Sequence, residues 1–324
     1  MSGARTVVVE PAQADQRVDE AVASLLGVSV AAVKRLCARE LLLRRGVRLR
    51  KGERVCAGDV ITLLAAPVDT SPPPELGVLL QQGPFVVVDK PAGLPSHRLH
   101  PSDPPAALDA VVARWPAAAT AGPDPREGGL LHRLDVGTSG ALAFALEPRA
   151  FEAGRAAFKG GHARKLYLAL VHGAVADRGE VDAPVAHDPG DPRRSVVVAE
   201  QGARHRGRPR QAVTRWRVLT RHGAEALVLV DGEGGRRHQV RVHLAHAGAP
   251  LWGDDLYGGP PWPVGGPRLP SHALHAVWLG FTAAEARVEA TAPVPGAFRA
   301  VVESVLGGVT RALDEAERQP TAVW

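Results

Sequence analysis

The sequence predicts an α+β protein with a mixed, mostly antiparallel sheet, preceded by a small α/β module. Three observations carry this expectation. Short β-type segments follow one another across short turns, with few helices between them. Turn-forming residues are abundant, with 35 Gly and 28 Pro in 324 residues. A proline-rich stretch, PVDTSPPPELG at 67–77, has the composition of a semi-rigid linker. The expected organisation is therefore a domain at 1–66, a linker at 67–77 and a larger domain at 78–324.

In the N-terminal module, Ser29 is placed to cap a helix over 30–40. Val33, Leu36 and Cys37 share one face of that helix, and Lys34, Arg35 and Arg39 the other. Gly46, Gly52 and Gly58-Asp59 then punctuate short strands, the last over 60–64. From Lys34 to Arg54 there are nine basic residues and two acids, Glu40 and Glu53. A solvated charged face and a phosphate-binding surface account equally well for such a run.

In the larger part, residues 85–89 form an apolar strand ending at the turn Lys90-Pro91-Ala92-Gly93. A short helix is expected over 106–115 and a strand over 141–146. Pro148–Lys159 reads as a helix with Pro at its start and Gly160 as its stop. A strand over 165–171 follows, then a loop over 204–210 carrying Arg204, Arg206, Arg208 and Arg210. Strands are expected near 211–219 and 225–231. A helix over 237–246, stopped at Gly248, has Arg237, Arg241 and Ala245 on one face and Val240 and Leu244 on the core face. Strands over 274–281 and 287–291 and helices over Gly296–Leu306 and Thr310–Arg318 complete the chain.

Composition narrows the function classes. With 45% hydrophobic and 23% charged residues, the chain is of soluble, globular type. The 39 Lys+Arg against 34 Asp+Glu leave a net charge of +5, and only five of the basic residues are lysines. An Arg bias of this kind can follow from the base composition of the coding sequence, so position matters more than total. Two cysteines, Cys37 and Cys56, exclude a disulfide framework and a four-cysteine zinc site, and suit a reducing compartment. No run of eighteen apolar residues and no leader-like start occur, so a cytoplasmic protein without a membrane partner is expected. There is no P-loop, and Gly232, Gly234 and Gly235 do not match the dinucleotide-binding spacing. Ser139, His132 and Asp135 lack the spacing of a nucleophile elbow. His238, His243 and His246 come with neither a cysteine pair nor H-E-x-x-H, so no metal is expected.

Two segments are dense in chemistry-bearing residues. In LLHRLDVGTSGALAFAL, 130–146, Asp135 lies in a turn before an apolar strand, beside His132, Arg133, Thr138 and Ser139. Alone, such a turn is equally a structural one. The other segment is GEGGRRHQVRVHLAHAGAPLWGDDLYGG, 232–259. Together they resemble the RluA family of RNA pseudouridine synthases. DKPAGLPSH at 89–97, RKLYLALVHG at 164–173, ALHAVWLGF at 273–281 and APVPGAF at 292–298 match in family order, so the resemblance spans about 78–305. Residues 15–65, a helix, a basic helix and a hairpin ending in KGERVCAGDVITL, resemble an S4 domain. Arg44-Arg45-Gly46 departs from that family's usual turn.

The resemblance implies a pseudouridine synthase fold and a cofactor-independent isomerisation of uridine in RNA. It implies Asp135 as catalytic carboxylate, whether as nucleophile or base, and Arg241 as the cation that holds it ionised. Tyr167 would pack against the target base, with Leu274 and Thr138 lining the pocket. Arg133 would fill the space the flipped base vacates, with His132 beside it facing RNA. Lys34, Arg35, Arg39, Arg44 and Arg45 would grip RNA from the S4-like module. Lys90 in the KPAG turn would be mainly structural. Departures fall at Val136 and Gly137 after Asp135, and at Arg237, where relatives carry Thr. The two-domain layout favours large-subunit ribosomal RNA over tRNA as partner, and the resemblance implies a monomer as the working form. A non-catalytic RNA-binding or assembly factor is the rival class. Retention of both Asp135 and Arg241 argues against it, because a pure binder needs no buried carboxylate.

Overall fold

The computed structural model describes residues 5–64, 69–199, 204–322 and 324. They form two compact units, Met1–Thr70 with His100–Asp103, and Ser71–Leu99 with Pro104–Trp324. Of the expected linker and its flanks, residues 65–68 lie outside the described residues. Residues 69–76 carry no regular structure.

The first unit contains β1 (Arg5–Val8), α1 (Val18–Leu26), α2 (Val30–Ala38), β2 (Leu42–Arg44), β3 (Val47–Arg48) and β4 (Val60–Leu63). The strands pair in the order β1-β4-β2-β3. Ser29 caps α2 as expected, its hydroxyl accepting from the Ala32 amide. Val18, Val22, Val33, Cys37, Leu42 and Ile61 form its core, because each helix turns one apolar stripe inward.

The second unit is built on β5 (Gly77–Gln82), β6 (Phe85–Lys90), β7 (Ser139–Ala145), β8 (Ala163–His172), β9 (Arg178–Asp182), β10 (Val185–His187), β11 (Ser195–Val197), β12 (Arg206–Arg210), β13 (Val213–His222), β14 (Glu225–Glu233), β15 (Leu274–Ala283) and β16 (Ala286–Thr291). Its helices are α3 (Ala107–Arg114), α4 (Pro148–Lys159), α5 (Gln239–His246), α6 (Gly296–Leu306) and α7 (Thr310–Arg318). The main sheet runs β5-β6-β7-β15-β8-β14-β13-β9, with β16 also on β15. Its described pairings are antiparallel except β7 with β15, as the fold class predicts. Among the described residues no single helix is long and apolar enough to cross a membrane.

Strand alternation sets the two faces of the sheet. On β8, Leu166, Leu168 and Leu170 pack with Phe298, Val301 and Leu313 of α6 and α7. Tyr167, Ala169 and Val171 face the other way, with Leu108 of α3 and Val240 and Leu244 of α5. Gly140 stands where β7 meets β15, at φ +113°, and a Cβ there would lie 2.2 Å from the Ala276 carbonyl oxygen. Only glycine fits this crossing, five residues after Asp135.

Two expectations need correction. Residues 206–210 are not a loop: β12 pairs with β10, Val185 opposite Arg210 and His187 opposite Arg206. Arg237 does not share a helix face with Arg241, because α5 begins at Gln239 and His238 precedes it in a left-handed conformation. Every residue from Gln239 to Leu244 is buried.

Candidate active site

Asp135 lies in the turn that feeds β7, with the Thr138 amide donating to the Asp135 carbonyl at 3.0 Å. The turn is held from several sides. Ser96 accepts from the Leu134 amide at 3.1 Å and donates to the Leu134 carbonyl at 2.9 Å. The Gly93 amide donates to the Val136 carbonyl. Lys90 is fully buried, and its ammonium reaches the carbonyls of Leu94 at 2.7 Å, Pro91 at 3.0 Å and Val136 at 3.3 Å. Burial pulls its pKa down to about 7, against the pull of Asp135 and Asp89 upward. Three carbonyl acceptors further favour the charged form. Lys90 is thus a strut beneath the Asp135 turn.

Opposite the turn stands α5, docked by Gln239, whose amide donates to the carbonyls of Glu233 and Val213. From α5, the Arg241 guanidinium makes a fork with Asp254, Nε to Oδ2 and Nη2 to Oδ1, both at 2.8 Å. Its remaining nitrogen, Nη1, donates to Asp135 Oδ2 at 3.1 Å. Its carbon lies 5.1 Å from the centre of the Tyr257 ring. Asp254 is 1% exposed, and the fork fixes the direction in which Arg241 presents its free edge.

The carboxyl of Asp135 is held below the ordinary carboxylate range. Burial pushes it up; His238, Arg241 and His272 more than offset that. Burial keeps His238 and His272 near 4, so both are neutral at pH 7. At neutral pH Arg241 is then the charged partner of Asp135.

The cleft at this pair is lined by Arg133, Leu134, Asp135, Thr138, Lys165, Tyr167, His238, Arg241 and Leu274, together with Gly232, Gly235, Arg236, Gln239 and Val240. It brings together Asp135, Arg241, Tyr167, Leu274, Thr138 and Arg133 from the sequence-predicted set. Tyr167 is 7% exposed, and burial with the charges of Asp135 and Asp231 raises its phenol. Thr138 bonds His272 Nε2 at 3.0 Å. Arg133 is exposed, its side chain 3.9 Å from Glu127. His132 is not at the cleft: it is buried, stacks 4.8 Å from Phe158, and accepts from the Ala143 amide. It belongs to the core and lies outside the cleft lining.

Arg35 and Arg45 are exposed on the first unit, with no ion pair among the described residues. Lys34 lies 3.4 Å from Asp19, and Arg39 pairs with Asp103 at 2.5 Å. Arg44 is tied to Asp59, Glu53 and the Arg54 carbonyl, so its guanidinium braces the hairpin instead of standing free. Sequence reasoning did not single out Lys165, Asp254 or Tyr257, and weighed His238 only as a metal ligand. Lys165 shares a strand face with Tyr167, a spacing visible in RKLYLALV. Asp254 and Tyr257 stand in GDDLYGG, which marks a motif but not its partner. Among the described residues no group of three or more His, Cys, Asp or Glu is placed to hold a metal ion.

Comparison with known proteins places this geometry among relatives. The family model described as RNA pseudouridylate synthase matches residues 84–246. An uncharacterized RNA pseudouridine synthase of Chloroflexus aurantiacus is 35% identical over 93% of this chain and 93% of its own. A ribosomal large subunit pseudouridine synthase D of Xanthomonas campestris is 33% identical over 83% of this chain and 81% of its own. Among solved structures, human RNA pseudouridylate synthase domain containing 4 superposes with a TM-score of 0.54 at 25% identity, covering 70% of this chain and 92% of that one.

Proposed function

The chain belongs to the RNA pseudouridylate synthase family, and from that premise we propose that it isomerises uridine in large-subunit ribosomal RNA with Asp135 as catalytic carboxylate. The observation that carries the assignment is the 3.1 Å pair between Arg241 and Asp135 at the floor of a cleft shared with Tyr167. The reaction breaks the N1–C1′ bond, turns the base, and forms a C5–C1′ bond. N1 gains a proton and C5 loses one, so atoms balance without a redox partner. An ionised carboxylate beside C1′ suits a sugar centre that becomes electron-poor as the bond breaks. Arg241 keeps that carboxylate charged, and Tyr167 offers a flat apolar face to the base.

A base in folded RNA has to leave its stack to reach Asp135, and exposed Arg133 at the rim is suited to take its place. The first unit acts as an S4-like grip on the phosphate backbone, through Arg35 and Arg45 above all. The choice of ribosomal RNA rests on the relatives named for the large ribosomal subunit. Tritium release from RNA labelled at uridine C5 tests the proposal. Large-subunit ribosomal RNA should release tritium and bulk tRNA should not; the reverse pattern overturns the substrate assignment.

A further inference from the structure

His238 lines the cleft beside Asp135, yet the reaction as written gives it no task. It sits at φ 56° and ψ 19°, directly before α5. A non-glycine residue in this left-handed region is disfavoured, so the fold holds the side chain there against a local preference. Two contacts fix the ring. Its Nδ1 lies 2.9 Å from the Tyr257 hydroxyl, and the two rings meet edge to face at 5.8 Å.

The bonding at Tyr257 favours one tautomer. The hydroxyl accepts from the Ser195 amide at 2.8 Å. Burial raises the Tyr257 phenol, which therefore keeps its single proton at neutral pH. Among the described residues its other hydrogen-bond partner is His238 Nδ1. Donation from the phenol to Nδ1 gives that proton its one acceptor among the described residues, and Nδ1 is then the unprotonated nitrogen. The imidazole proton is left on Nε2. Burial and the nearby Arg241 and Arg237 cations keep the ring neutral, with a pKa near 4, although Asp135 and Asp254 pull it upward.

We propose that His238 is a substrate-binding residue, locked by Tyr257 as the neutral Nε2–H form, whose N–H donates to a carbonyl oxygen of the target uracil. The assignment rests on the pseudouridine synthase reading of the cleft. A neutral donor matches a neutral acceptor, whereas a phosphate would call for a cation such as Arg236 or Lys165, which line the same cleft. With its proton on Nε2 and a low basicity, His238 is a poor general base. It leaves proton removal to other groups and orients the base.

The test uses the full chain. In ¹⁵N-histidine-labelled protein without RNA, the two ring nitrogens of His238, identified by their absence in His238→Gln, should report Nε2 protonated and Nδ1 bare. Tyr257→Phe should shift that pattern toward a mixture of tautomers. A His238 protonated on Nδ1 overturns the proposal. In C5-tritium release, His238→Leu should lose roughly ten- to hundredfold in kcat/KM, the scale of a buried acceptor left without its donor. His238→Gln, which keeps an uncharged N–H, should recover most of that. A Leu variant equal to the wild type, or a Gln variant no better than Leu, overturns the substrate role alone. A wild type that releases no tritium from any RNA overturns the functional reading as well, while the tautomer result stands separately.

Discussion

Replacing Arg241 with Gln should move the acid limb of the rate profile. The structure sets the size of that shift. At 3.1 Å, a pair of unit charges is worth about 1.3 kcal/mol in water and about 5 kcal/mol at an effective dielectric near 20. One pKa unit corresponds to about 1.4 kcal/mol, so the range is about 1 to 4 units. The Asp135 side chain is 25% exposed, which favours the lower half of that range. Arg241 stabilises the ionised carboxylate, so its loss raises the pKa of Asp135. Activity needs the ionised form and falls below that pKa. The acid limb of single-turnover tritium release should therefore shift upward by about 1–2 units, on top of a lower plateau. Circular dichroism at each pH separates this from unfolding, because Arg241→Gln leaves the buried Asp254 uncompensated, at a cost of about 3–5 kcal/mol. Arg241→Lys keeps a cation and should leave the limb near its wild-type position. A lower plateau with an unmoved limb in Arg241→Gln would refute the claim that Arg241 keeps Asp135 ionised.

Three further outcomes follow from other parts of the molecule. Buried His132 is held near 3, and buried His243, His272 and His275 near 4, against 6.5 in the unfolded chain. Between these values the unfolded state binds more protons, so stability present above pH 6.5 is lost as pH falls. At pH 5 each contributes a loss of about 2 kcal/mol, and urea midpoints should drop steeply from pH 7.5 to 5; a flat profile contradicts the burial of these rings as neutral species. Lys90→Met removes the donor to three carbonyls and should cost about 3 kcal/mol in chemical denaturation, whereas a neutral result would deny the strut beneath the Asp135 turn. Arg35→Ala with Arg45→Ala should weaken RNA binding and lower the salt slope by about 1 for each arginine; an unchanged slope removes the phosphate grip from that surface.

Much of the fold is legible where local signals coincide. Helix α4 begins at Pro148 and ends at Lys159 before Gly160, as its punctuation predicts. Its apolar spacing, Ala150, Phe151, Gly154 and Ala157, agrees with that reading. Strand β12 was illegible because its arginines carry no apolar alternation; the backbone of β10 defines it instead. The inward turn of Lys90 and of His132 was equally hidden. Lysine and histidine read as surface residues until the carbonyls and amide that receive them are in place. The pairing of Asp135 with Arg241 spans 106 residues. It was expected only because of the resemblance, since spacing alone says nothing of contact. Asp254 and Tyr257 act on Arg241 and His238 from a neighbouring turn, a relation that exists only after folding.

The most direct test of the central claim compares wild type with Asp135→Asn in tritium release from C5-labelled large-subunit ribosomal RNA, alongside RNA affinity at fixed salt. The substitution keeps the shape of the side chain and removes its charge. The wild type should release tritium, and the variant should release none while keeping its affinity for RNA. Release by Asp135→Asn at the wild-type rate would contradict it.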